Sequence, residues 1–331
     1  WYFGPYIVIW GFVYGAAAMA GTGLALYSLF PFLSVAVWGI ISGLLGMALV
    51  WSGKYDLFEK VLTAMVILMF ISMVAAAAFT LPNLGEILRG LIPYIPEGAM
   101  INVLSVAGGV GGTITLAAYG YWLREKGWDT PRYMRVMRLD NGIAYLVTGI
   151  FVVATLIVGA ELLYSANIAI GGGDQGMVDL ATVLGERYGS WMSKLFLIGF
   201  WSASMSSLVG VWNGVSLMFA DFLGHEQGKP HNDPDRLAGG RYYKFYIFWL
   251  TIPPMVMLFL GQPVYLILAY GVLGALFMPF MSVTLLWILN TDRVPREWRN
   301  GLLTNIMLLL CTLAFAALAV DQLRGAIMRV F

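Results

Sequence analysis

Charge is distributed along this chain in a way that sets its organisation before any motif does. No Asp, Glu, Lys, Arg or His occurs from Trp1 to Gly53, Val61 to Gly85, Gly98 to Leu123, Asn141 to Ala160, Leu195 to Ala220, or Phe245 to Thr291. A helix needs about 20 predominantly apolar residues to cross the hydrocarbon core of a bilayer. Each run is therefore long enough for a crossing, and the first and last hold more than one. Lipid offers no partner to a backbone N–H or C=O, which restricts spanning structure to helices and closed barrels. The alternating segments of ~10 residues that a barrel requires are absent. The pattern predicts an all-α polytopic bundle with nine spans, at about 5–30, 32–53, 59–81, 98–123, 139–164, 191–223, 242–261, 263–290 and 300–320. Connections are mostly short, so residues 1–331 read as a single transmembrane domain. Two are long: Thr80–Gly98, with Pro82, Pro93 and Pro96, and Leu163–Ser190, with Gly171, Gly172 and Gly173.

Charge then orients the bundle. With alternating spans, 14 of the 19 Lys and Arg residues fall in the loops after spans two, four, six and eight. Basic residues are retained on the cytoplasmic side, so those loops are expected in the cytoplasm and the first span enters from there. The expected location is the plasma membrane, of a prokaryotic inner-membrane kind. Only 11% of residues are charged and the net charge is +1, which argues for the lipid bilayer as partner and against nucleic acid. One cysteine, Cys311, excludes a multi-thiolate metal site. The two histidines, His225 and His231, read as neighbours in a polar loop. HExxH and P-loop motifs are absent, so an enzyme is not expected, nor is a cofactor. The chain opens on Trp1 within an apolar run, and its native N-terminus is expected to lie upstream.

Within the fourth span runs Ala107-Gly108-Gly109-Val110-Gly111-Gly112-Thr113. Each glycine is about 1 kcal/mol worse than alanine in a helix, which favours an unwound segment. Membrane transporters present backbone carbonyls to ions at such breaks. The plainer alternative is close helix packing through small residues, for which Gly108 and Gly112 have the right spacing. The sixth span carries Ser202, Ser204, Ser206 and Ser207; grouped hydroxyls line pathways, but more commonly bond back to their own helix. Asn213 is expected to pair with a neighbouring helix, and Pro279 to kink the eighth span. Glu161, Asp140 and Asp221 end spans and read as structural or interfacial. The 18 methionines are scattered and read as core filler.

Taken in order, these segments resemble the NRAMP family of divalent-metal transporters nearly end to end. Ala203-Ser204-Met205-Ser206-Ser207, then Gly210, Gly214 and Asp221-Phe222-Leu223, resembles the family's eighth helix. Arg138–Ala144 is similar to the start of its seventh, Met278-Pro279-Phe280 to a motif of its tenth, and Gly21–Leu26 to its third. The resemblance implies a leucine-transporter-like inverted-repeat fold of which helices three to eleven are present, the first two lying outside this sequence. It also implies that the Ala107 carbonyl faces the ion, with Val110, Gly111, Gly112, Tyr270 and Gly271 around the site. The family's Met-Pro-His ligand segment falls at Val110, Gly111 and Gly112, a second histidine at Ala117, a glutamine near Gly271, and acids of the third helix near Gly15 and Ala18. Such departures are similar to the magnesium-transporting prokaryotic branch. Loss of a thioether at Val110 removes selection for soft metals. Glycine at the neighbouring ligand position, Gly112, enlarges the site, which suits Mg²⁺, an ion that keeps several waters.

The expectation is therefore a passive, proton-uncoupled transporter of partly hydrated Mg²⁺, with Mn²⁺ as a second substrate. An amino-acid or other small-organic transporter on the same fold is the alternative, because a half-helix N-terminus can hold a carboxylate. A membrane scaffold whose glycines serve packing alone is a third reading.

Overall fold

The structure is a computed structural model and describes residues 2–80, 84–90, 92, 114–160, 175–260 and 263–330. Every regular element among them is helical. In chain order these are α1 (Phe3–Leu29), α2 (Val35–Trp51), α3 (Tyr55–Phe79), α4 (Leu84–Gly90), α5 (Thr115–Glu125), α6 (Met134–Gly159), α7 (Gln175–Tyr188), α8 (Ser190–Glu226), α9 (Arg241–Thr251), α10 (Pro263–Ile288) and α11 (Leu302–Val330). Among the described residues, five helical segments are long and apolar enough to cross a membrane: Phe3–Leu29, Tyr55–Phe79, Pro131–Gly159, Ser190–Glu226 and Pro234–Leu260. Val35–Trp51, Phe277–Ile288 and Leu302–Ala317 are shorter apolar helices. Together they match every predicted span except the fourth, of which only the part from residue 114 onward is described.

Several expectations need correction. The seventh span is not one α-helix: α9 stops at Thr251, and Pro253–Leu260 continues as a 3₁₀ helix. Pro253 and Pro254 lack the N–H groups that α-helical continuation would use. The two long connections hold helices, α4 and α7. The second follows an apolar stripe, since Ala181 and Leu184 of α7 are buried among Met73, Ala76 and Ala77 of α3, Ala154 and Val158 of α6, and Met192, Phe196 and Leu197 of α8. His225 is not in a loop but in the last turn of α8. That helix ends where Gly228 takes φ +69° and Lys229 N–H donates to the Gly224 carbonyl at 2.9 Å, a left-handed stop that suits glycine.

Two compact units divide the chain. One comprises Trp1–Ile92 and Ala117–Ile267, the other Pro93–Leu116 and Leu268–Phe331. In the first, α8 is the central strut, packed by α1, α2, α3, α7 and α9. Trp10, Trp212, Tyr243 and Tyr246 are among its largest fully buried side chains. Their polar atoms are mostly paired: Trp212 Nε1–H donates to Thr251 Oγ1 at 2.6 Å, and Tyr246 O–H to the Ile7 carbonyl at 2.6 Å. By contrast α6 buries little, with Leu139, Ile143, Leu146, Ile150 and Val153 along one exposed stripe. In the second unit the turn between α10 and α11 is tied by a reciprocal amide pair, Asn290 to Asn305, at 2.8 and 2.9 Å. The helix α10 continues through Pro279.

Candidate functional site

Of the residues expected around the ion, Ala107, Val110, Gly111 and Gly112 lie outside the described residues, as does Glu161. The expected break at Ala107–Gly112 therefore stays an expectation. Tyr270 and Gly271 lie on α10, where Tyr270 is half-buried and Gly271 exposed. A Cβ placed on Gly271 would meet nothing within 4 Å among the described residues. Among the described residues, no group of three or more His, Cys, Asp or Glu side chains is placed to hold a metal ion.

The two positions matching third-helix acids lie on α1, and one is closed off. Gly15 is buried where α1 passes the end of α9, and a Cβ there would sit 2.9 Å from Pro254 Cγ, 3.1 Å from the Leu250 carbonyl carbon and closer still to its oxygen. No side chain, charged or neutral, fits without moving that backbone. Ala18 is only partly buried, and its carbonyl accepts a hydrogen bond from Thr22 Oγ1 at 2.9 Å.

One hydroxyl of α8 bonds back to its own helix as expected, and another pairs with a neighbouring helix. Ser206 Oγ donates back to the Ala203 carbonyl at 3.0 Å, whereas Ser207 Oγ reaches across to Tyr14 O–H of α1 at 2.8 Å. Ser202 Oγ and Ser216 Oγ are buried with no hydrogen-bond partner among the described residues. Asn213 pairs between helices as expected: its Oδ1 accepts from Trp122 Nε1–H of α5 at 2.8 Å, and its Nδ2 donates to Tyr243 O–H of α9 at 3.0 Å. Tyr243 O–H in turn donates to the Val50 carbonyl at the end of α2, at 3.1 Å.

At one end of this unit, the ends of α2, α5 and α8 and the starts of α3 and α9 converge. This end carries the loops after spans two, four and six, which are expected in the cytoplasm. Asp221 of α8 is its organising group: one carboxylate oxygen accepts from Tyr121 O–H at 3.0 Å and the other from Arg236 Nη2. His231 Nδ1 stands 3.4 Å from the same carboxylate. Arg236 is only 6% exposed and also donates to the Lys229 carbonyl at 2.6 Å. Asp140, in the second turn of α6, accepts from Tyr119 O–H at 2.7 Å, and Lys126 bridges Glu59 of α3 at 2.6 Å. A cavity of about 220 Å³ lies here, lined by Tyr121, Glu125, Leu217, Asp221, His231 and Arg236 among others. Burial raises the Glu125 carboxyl above its ordinary pKa, with Arg124 pulling the other way.

Sequence reading missed this cluster. Arg236 counted there as a loop charge, and nothing in the loop's composition marks it as buried. Tyr121 and Trp122 are aromatics near a span end, a common interfacial feature that does not single them out. Asp221 was read as structural or interfacial, and its partners are now explicit. A family model described as natural resistance-associated macrophage protein-like matches residues 1–323. No curated protein matches the chain.

Proposed function

The chain belongs to the NRAMP family of divalent metal ion transporters, and from that premise we propose that its ion is Mg²⁺, with Mn²⁺ as a competing second substrate, moved passively and without protons. Membership makes the protein an integral membrane transporter of divalent metal ions and favours that reading over the scaffold and amino-acid ones. The proposed membrane is the plasma membrane of a prokaryotic cell.

The observation that carries the ion assignment is the donor chemistry at the positions matching the family's ligands. Val110 and Gly112 stand where a thioether and an imidazole would, and without soft or nitrogen donors a site favours hard cations held through oxygen and water. The proposed site comprises the Ala107 carbonyl, the space around Val110, Gly111 and Gly112, and Tyr270 and Gly271 of α10.

Proton coupling requires a titratable group along the path. Gly112 and Ala117 replace the family's histidines. At Gly15, where an acid would sit, Leu250 and Pro254 occupy the space of even a Cβ. Uptake is then driven by the membrane potential, which at about 2.3 kcal/mol per charge per 100 mV supplies ~4.6 kcal/mol for a divalent ion. The test uses liposomes holding a pH dye and a Mg²⁺ or Mn²⁺ indicator, with a negative-inside potential. Metal entry without acidification is expected, and Mg²⁺ should inhibit Mn²⁺ entry. Acidification that scales with metal concentration would overturn the uncoupled reading, and absence of competition would overturn the shared site.

A further inference from the structure

In sequence, α5 directly follows the glycine-rich run, and its last turns are held by a small number of directional polar contacts. Tyr121 and Trp122 are consecutive residues that grip α8 at two points, Asp221 and Asn213, eight residues or about 12 Å apart along the helix axis. Between these points Gly214 lets α5 in: a Cβ there would meet Ala118 Cβ and Trp122 Cζ2, each at 2.8 Å. The remaining space beside Leu217 is not filled by apolar side chains. It is the cavity of about 220 Å³, bordered by Tyr121, Glu125, Asp221 and Arg236.

Permanent helix interfaces are close-packed like organic crystals. Here two polar bonds flank one tight contact and a polar hollow. Such bonds exchange readily for water, because a hydrogen bond contributes little net free energy once both partners are solvated. Each acceptor is also held ready in the absence of α5. Arg236 fixes Asp221 from the far side, and Tyr243 fixes Asn213 while donating to the Val50 carbonyl.

We infer that the Tyr121–Asp221 and Trp122–Asn213 contacts are a cytoplasmic latch, and that its release lets the inner end of α5 leave α8 and opens the adjoining cavity to the cytoplasm at the ion-release step. Asp221 and Asn213 are positioning residues in this scheme and touch no ion. The release step rests on the transport reading, whereas the opening itself can be measured without flux.

Leu217 lines the cavity and is 4% exposed, so a cysteine there reports opening. In a Cys311→Ser background, Leu217→Cys is labelled with a membrane-impermeant maleimide on protein in nanodiscs. Adding Tyr121→Phe removes one bond and leaves Asp221 with Arg236, and should raise the labelling rate by about tenfold or more, the effect of losing one hydrogen bond to a charged group. Asp221→Asn should act in the same direction. Ala154→Cys, 4% exposed in the separate cluster between α3 and α6, should label slowly in every background. Unchanged labelling of Leu217→Cys in both variants would overturn the latch, as would a parallel rise at Ala154→Cys, which marks general loosening. A parent protein that carries no divalent metal into liposomes would sink the transport reading separately, with the labelling rates still deciding whether the latch opens.

Discussion

Gly15→Ala isolates the contact that excludes a side chain from the middle of α1. An ordinary Cβ contact lies at 3.4–4 Å, whereas the added methyl would stand 2.9 Å from Pro254 Cγ and nearer than that to the Leu250 carbonyl oxygen. The nearest obstacle is backbone at the end of α9, followed by two prolines, so no side-chain rotation relieves it. Either α1 or the α9 end must move by at least 0.5 Å at Pro254, and by more at the carbonyl. Overpacking of this kind costs about 1–3 kcal/mol. Replacing glycine by alanine within a helix returns at most about 1 kcal/mol, so strain wins and a net loss on the order of 1–2 kcal/mol is expected. The matched control is Gly210→Ala in α8, where the added Cβ meets nothing within 4 Å among the described residues and the helix-propensity gain dominates. Thermal unfolding of the purified protein in one detergent reads both. Gly15→Ala should melt a few degrees below the parent, since 1 kcal/mol moves a midpoint by about 2–4 °C in domains of ~200 residues, and Gly210→Ala at or above it. A Gly15→Ala protein as stable as Gly210→Ala would refute the reasoning. It would show that this position has room and that the close approach of α1 to the end of α9 does not exclude a side chain.

Three further outcomes follow from the same geometry. Val110→Met combined with Gly112→His should narrow the proposed site and reduce Mg²⁺ uptake into liposomes several-fold; uptake equal to the parent would argue against those positions facing the ion. Glu125→Gln should stabilise the protein at pH 7.5 and leave it unchanged near pH 4: the folded-state carboxyl pKa is raised by burial, so the ionisation cost is absent below the unfolded pKa and fully present above the folded one. Equal melting temperatures at pH 7.5 would contradict that sign. Trp212→Phe removes the donor to Thr251 Oγ1, a 2.6 Å bond in the buried core of α8 and α9. Losing the bond should cost about 1 kcal/mol, and the space left by the smaller ring at a fully buried position adds to it, so the midpoint should fall; an unchanged midpoint would contradict both.

The sequence alone determined the solvent, the element type and the family. Runs free of charge for 20 residues or more have one physical home, and within it the backbone has one economical way to satisfy itself. That is why every predicted span open to comparison meets a helix in about the expected place, and why Asn213 was legible as an interhelical polar residue: in lipid such a group must find a partner. Boundaries were less legible where local chemistry overrode the apolar pattern. At Pro253-Pro254 the missing donors end an α-helix inside an apolar run that looks continuous, and at Ala181 and Leu184 a short amphipathic helix hides between glycines. Only the tertiary structure decided who pairs with whom. Arg236 and the other loop arginines are alike in composition, but Arg236 is buried because the turn after α8 folds it back over Gly224, where a Cβ would collide with its stem. Likewise, nothing in the order of residues says that Tyr121 meets Asp221, a hundred positions away. Burial in a membrane is a property of single residues summed along a helix and can be read from sequence. The pairing of polar groups depends on which helices become neighbours, which is settled by packing across the whole fold.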